Sequence, residues 1–167
     1  MTRYTASGWR TAAHFVADPP PAAWRDDLAQ RLGRRPRRVG LWTELAMWGA
    51  RSCVDAAGEA ALPAGARIRV ASLRGAWDAT HAGLAQLDAG LPMPFTFMQS
   101  QPALMLAEVG RCLEWQGDAS FMLCRDPHRL LQLAKRGAAR DGLLFGVVEE
   151  ARDGAPARSE WWRLVPA

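Results

Sequence analysis

Two short apolar runs in the second half of the sequence constrain the fold most. Residues 119–124 have the sequence ASFMLC and residues 143–148 have LLFGVV, and neither run is long enough for a stable lone helix. Both are typical of strands that are buried on both faces of a sheet. Between them, Asp126-Pro127 supplies a helix N-cap and a proline suited to the first turn. The pattern predicts strand, helix and strand in succession, with parallel strands joined by right-handed crossovers.

The remaining segments continue this alternation. Strands are predicted at residues 4–15, 67–73 and 159–165, the last as a candidate edge strand. Helices are predicted at residues 22–32, 39–57 and 78–88, and another begins near Pro102. The fold class expected for residues 1–167 is a single α/β domain with a mainly parallel, mixed sheet of about five strands flanked by helices.

Composition excludes several classes of protein. The three cysteines include no C-x-x-C pair, so neither a disulfide framework nor a zinc site is expected. No apolar run approaches the roughly 18 residues of a membrane-spanning helix, and the first residues do not resemble a secretory signal. The net charge of +4 is modest, and no nucleic-acid-binding motif accompanies it. We therefore expect a cytoplasmic protein without cofactor, metal, membrane span or nucleic-acid partner.

One basic cluster and the tryptophans stand out. The cluster comprises Arg31, Arg34, Arg35, Arg37 and Arg38, and it fits either a solvated loop or a docking patch for an acidic partner. The chain has eight Trp against one Tyr. Because this exceeds what a small core needs, some Trp side chains are expected in a partner interface.

Four segments, taken in order, resemble the N-terminal half of the β-ketoacyl synthase family. They are residues 32–41 (LGRRPRRVGL), 70–80 (VASLRGAWDAT), 92–103 (PMPFTFMQSQPA) and 117–131. The match is best to shortened members that accompany ketosynthases in aryl polyene and xanthomonadin pigment pathways. The resemblance implies a thiolase-like half-fold, although residues 99–102 depart from the family's Ser-x-x-Asn pattern.

The resemblance also implies a non-catalytic subunit. The family's cysteine nucleophile, at a helix N-terminus, falls here on Asp126, which cannot form a thioester. Cys124 lies two residues earlier. The family's two catalytic histidines belong to a C-terminal half that these residues do not include, and His14, His81 and His128 have no partner at useful spacing. No catalytic residue is therefore assigned, and a pseudoenzyme is expected.

Chain length factors are ketosynthase relatives of this kind, which pair with an active ketosynthase and shape the tunnel for the growing chain. The resemblance implies a heterodimer with such a ketosynthase. It places the dimer interface on Phe121, Met122, Leu123 and Cys124. It places the lining or gate of the acyl tunnel on Phe95, Phe97, Met98 and Gln99.

Two alternatives stay open at this point. In one, the protein is a stand-alone enzyme of acyl-thioester chemistry that uses Cys124. In the other, it is a docking or scaffold module for an acyl carrier protein, because such carriers are acidic and the charge of the basic cluster is complementary. The docking candidates are Arg34, Arg35, Arg37 and Arg38.

Overall fold

The computed structural model describes residues 4–5, 8–137 and 140–167. Within them, the strands are β1 Tyr4–Thr5, β2 Trp9–Ala17, β3 Arg67–Ser72, β4 Ala119–Leu123, β5 Leu143–Glu149 and β6 Arg158–Pro166. The helices are α1 Trp24–Leu32, α2 Leu41–Ala56, α3 Trp77–Asp88, α4 Pro94–Gln99, α5 Pro102–Cys112 and α6 Pro127–Arg136. The predicted strand at residues 4–15, part of which lies outside the described residues, corresponds to β1 and β2, which pair antiparallel.

The strands form one mixed sheet in the order β1-β2-β6-β5-β3-β4. β3 runs parallel to both β4 and β5, which confirms the α/β class and the parallel unit predicted from the two apolar runs. The prediction of a mainly parallel sheet is wrong, because β6 pairs antiparallel with both β5 and β2. β6 is thus a central strand, and its prediction as an edge strand is also wrong.

Two charged residues of this central strand are buried. Arg163 is only 1% exposed, and its guanidinium donates two hydrogen bonds to Glu59, at 2.7 and 2.9 Å. Glu160 is also buried and accepts a hydrogen bond from His14 at 2.8 Å. Paired in this way, both side chains can lie within the sheet, where unpaired charges would be costly.

Trp161 of β6 joins the sheet to α2. Its indole is fully buried, and its N–H donates to Ser159, whose hydroxyl donates in turn to the carbonyl of Leu45. Two glycines make room for the ring. A Cβ added at Gly146 of β5 would lie 2.6 Å from three ring carbons, and one at Gly49 of α2 would lie 2.6 Å from Cδ1.

The two faces of the sheet are covered differently. The main core lies under α1, α2 and α5. Four of the eight Trp residues are buried there: Trp42, Trp48, Trp115 and Trp161. On the other face, α6 packs on β3 and β5. Beyond α6, His14 stacks on Trp162 at 4.8 Å and Arg158 pairs with Glu160. Beyond α6, this face of the sheet therefore carries aromatic and charged side chains.

The close packing of Trp161 predicts the effect of one methyl group. Gly146→Ala forces the ring or the strand to shift, so we expect a loss of about 1–3 kcal/mol of unfolding free energy. Gly137→Ala is the matched control, because Gly137 has φ −100° and the nearest atom to an added Cβ is 3.6 Å away. Urea denaturation of both variants measures this, and equal stability of the two would contradict the account.

Candidate functional site

The outermost strand on one side of the sheet is β4, which pairs with β3 alone. At one end the Ile68 N–H donates to the carbonyl of Asp118, and at the other the Cys124 N–H donates to the carbonyl of Ser72. Hydrogen bonds alternate along a parallel ladder, so every second residue of β4 turns its N–H and C=O away from β3. These residues are Ala119, Phe121 and Leu123. Their unpaired backbone groups form what we call the β4 edge.

The side chains of β4 are more exposed than predicted. Met122 is 38% exposed and Leu123 66%, whereas Ala119 to Phe121 are half-buried. The prediction that residues 119–124 are buried on both faces is wrong for this chain alone, because β4 has one neighbour and α6 packs on β3 and β5. An apolar, unprotected edge strand is a surface that proteins normally cover.

The β4 edge is held firmly from the core side. The Phe121 ring packs edge-on against Trp42, with ring centroids 5.3 Å apart. The Trp42 indole is fully buried and donates to the carbonyl of Val148 at 3.1 Å. At the start of the strand, Arg69 donates to the Asp118 carboxylate at 2.8 Å. The edge is thus a rigid, pre-organised backbone surface.

The segment after β4 forms the predicted helix start. Asp126 is the N-cap of α6, and its Oδ1 accepts the backbone N–H of Arg129 at 3.1 Å. Cys124 is half-buried, and its thiol donates to the Asp126 carbonyl at 3.1 Å. Among the described residues, no histidine hydrogen-bonds to this thiol.

The other two cysteines are poorly placed for thiolate chemistry. Burial raises the pKa of the Cys53 thiol to about 12 and that of Cys112 to about 11. Both thiols are therefore protonated at neutral pH and behave as small apolar side chains.

A cavity of about 370 Å³ opens at the carboxyl ends of β3, β4 and β5, beside Cys124. Glu149 lines it, but its carboxylate accepts hydrogen bonds from the Ser72 hydroxyl and the Leu73 N–H. These bonds close the turn after β3, so the carboxylate is engaged in structure. No group of three or more metal-ligating side chains occurs in the described part of the chain.

The predicted gate residues lie on α4, a short helix that the sequence analysis did not predict. Phe95, Phe97 and Met98 are each about half exposed, at 52%, 56% and 46%. On the adjoining α3, only Gly83 is buried. The exposed apolar side chains of the two helices and of the loop between them, which we call the α3–α4 patch, are Leu84, Leu87, Leu91, Phe95, Phe97 and Met98.

Gln99 lies apart from the other gate candidates. With Thr96 it lines a cavity of about 230 Å³ between α2, α3 and α4, whose far wall includes Trp42 and Glu150. A Cβ added at Gly40 would be 3.3 Å from the Cβ of Gln99, so α4 lies close against the start of α2.

Glu150 is a buried residue of this region that sequence analysis missed. Its carboxylate accepts the backbone N–H of Asp78 at 3.0 Å, at the start of α3. Burial raises the pKa of the Glu150 carboxyl above its ordinary value, although that backbone hydrogen bond opposes the shift. The hydrogen bond between Asp78 and Glu150 attaches the start of α3 to the end of β5. An acidic residue after an apolar strand is a weak signal, which could not have singled it out.

The predicted docking arginines differ in their contacts. Arg35 pairs with Asp26, and the Arg38 guanidinium lies over the Phe95 ring, 5.4 Å from its centroid. Arg34 and Arg37 line a cavity of about 260 Å³ together with Arg111. Within the described residues, no acidic side chain forms an ion pair with Arg34 or Arg37.

Within the described residues, no helix is both long and apolar enough to cross a membrane.

The fold, in contrast to the sequence, has a counterpart among solved structures. No protein family model and no curated protein matches the chain. A chain of the structure of a ketosynthase (ApeO) in complex with its chain length factor (ApeC) from Xenorhabdus doucetiae superimposes with a TM-score of 0.64 and 15% identity. The alignment covers 99% of this chain and 79% of that chain.

A second structure is less similar. AbyA1, a tetronic acid condensing enzyme, aligns with a TM-score of 0.48 and 17% identity, over 94% of this chain and 54% of that chain. The conclusion about architecture therefore depends on the first structure alone. It confirms the predicted thiolase-like half-fold: the chain is folded like a polypeptide of a ketosynthase–chain length factor complex.

Proposed function

We propose that this protein is a non-catalytic, ketosynthase-like subunit. It pairs with an active ketosynthase and acts as its chain length factor in the synthesis of aryl polyenes or related type II polyketides and fatty acids. The observation that carries the proposal is the β4 edge, which is rigid, apolar and unpaired. The solved structure with the similar fold is itself a ketosynthase in complex with its chain length factor, which supports a partner of this kind.

The proposed contact is β-strand addition. A strand of the ketosynthase lies antiparallel to β4 and pairs with the N–H and C=O groups of Ala119, Phe121 and Leu123. Met122 and Leu123 then become buried, which removes apolar surface from water. Cys124, at the end of the strand, lies at the rim of the same contact. The interface is continuous from one sheet to the other.

The absence of a condensing role follows from Asp126. A carboxylate at the N-cap stabilises α6 but cannot carry an acyl chain as a thioester. The alternative of an enzyme that uses Cys124 has less support, because that thiol is hydrogen-bonded to a backbone carbonyl. The chain-length role requires a surface that reaches the partner's acyl tunnel, and the α3–α4 patch is the apolar surface available for it.

A charge at the β4 edge tests the pairing. We expect Leu123→Asp to abolish the complex formed on co-expression with the ketosynthase encoded nearest to it, because strand addition would bury the carboxylate. Leu133→Asp, at a 54% exposed position on α6, is the matched control and should leave the complex intact. Size-exclusion chromatography with mass analysis measures both. A complex that withstands Leu123→Asp would contradict pairing at β4.

Truncation of the α3–α4 patch tests the chain-length role. Phe97→Ala with Met98→Ala removes bulk at the proposed tunnel wall, so the products of the reconstituted pair should lengthen by one or more extension units. Leu133→Ala serves as the control, and mass spectrometry of the products is the readout. Unchanged product lengths from a complex that still forms would refute this gate.

Arg34 and Arg37 support a second, compatible role in docking an acyl carrier protein. Both guanidinium groups line a cavity and have no ion-pair partner among the described residues. An acidic carrier would be attracted to them. Arg34→Glu with Arg37→Glu should abolish salt-sensitive carrier binding in an affinity titration, whereas Arg35→Glu should weaken it less. If Arg35→Glu weakened carrier binding as much as the double change, the cavity lined by Arg34 and Arg37 would not be a specific carrier site.

A further inference from the structure

A groove of about 930 Å³ lies beside the start of β4. One wall is the outer face of α5, where Ala103 and Ala107 lie beside the larger Leu106. The opposite wall is formed by Trp115 and Gly117, and Ala119 of β4 closes one end. Ala103 and Ala107 are exposed, so the α5 wall of this groove is open to a partner. We call it the α5 groove.

Trp115 gives the α5 groove an unused hydrogen-bond donor. The residue is only 5% exposed, and its indole N–H has no acceptor among the described residues. A buried donor left without an acceptor destabilises the fold, so most native structures avoid it. Gly117 is close to the ring, since a Cβ there would lie 2.6 Å from Cζ2. A small rearrangement of residues 115–117 on binding could offer the N–H to a partner's carbonyl.

The groove and the β4 edge belong to one continuous surface. α5 packs against β4 on the core face of the sheet. When a strand of similar architecture pairs antiparallel with β4, a two-fold axis perpendicular to the sheet relates the two halves. The helix that packs on the partner's strand is then brought towards α5, on the same face. The small, exposed side chains at positions 103 and 107 allow a second helix to approach α5 closely.

We propose that the α5 groove receives a helix of the ketosynthase, the helix that packs on the strand paired with β4. This inference rests on the proposed function and adds a second contact to it. The helix contacts the small residues of α5 and accepts the Trp115 N–H through a backbone carbonyl. The rim suits a polar border to such a contact, because it carries both charges, Arg111 and Glu114.

Two measurements on the full chain with its ketosynthase test this inference. A photo-crosslinking residue at position 107 should join the chain to the ketosynthase, and the same residue at position 56, exposed at the end of α2, should not. Ala107→Trp should weaken the complex about tenfold or more, equivalent to about 1.4 kcal/mol, whereas Ala56→Trp should not. Circular dichroism and thermal melting of each variant establish that it is folded.

The outcomes separate this inference from the proposed function. If Leu123→Asp abolishes the complex while position 107 neither crosslinks nor affects affinity, the helix contact is wrong and the strand pairing stands. If neither Leu123→Asp nor Ala107→Trp has an effect, both fail. If position 107 crosslinks only to a second copy of this chain, the occupant is wrong and the groove is a homodimer surface.

Discussion

The Trp161 indole, enclosed between Gly49 of α2 and Gly146 of β5, is the contact on which the rest of the structure depends. It fixes the position of α2 across the sheet, and the hydrogen-bond chain through Ser159 to Leu45 orients it. Trp42, in the first turn of α2, lies on the same face of the sheet and extends towards β4. There Trp42 supports Phe121, so the packing of the central strand determines the geometry of the β4 edge.

The distribution of exposed surface follows from this arrangement. The sheet face opposite α2 is covered by α6 and by the ion pair and stacking around Glu160 and Trp162. Exposed large apolar side chains include Met122 and Leu123 at the end of β4 and those of the α3–α4 patch. Glu150 and Trp42 adjoin the cavity between these helices. A partner that approaches the edge of the sheet would therefore cover more apolar area than one that approaches its face.

Sequence patterns predicted most of the elements, and they located the parallel unit well. The apolar runs at residues 119–124 and 143–148 are both strands, and Asp126 is the N-cap of the helix that follows the first. Periodicity could not tell which run lies at an edge, because an apolar strand can be covered by its own chain or by another chain.

The edge prediction for β6 was wrong because long-range pairs are not visible in a sequence pattern. Arg163 hydrogen-bonds to Glu59 and Glu160 to His14, each far away along the chain. The docking arginines were predicted as one cluster, but Asp26 and Phe95 engage two of them. The gate candidates stay a prediction, and only the structure separates Gln99, beside a cavity, from the exposed Phe97.

Hydrogen–deuterium exchange of β4 in the purified complex with the ketosynthase tests the central claim most directly. Strand addition predicts that the outward amides of Ala119, Phe121 and Leu123 exchange fast in the free chain and become strongly protected in the complex. The amide of Cys124, already bonded to Ser72, should change less. Unchanged exchange at the three outward amides in a stable complex would contradict pairing at the β4 edge.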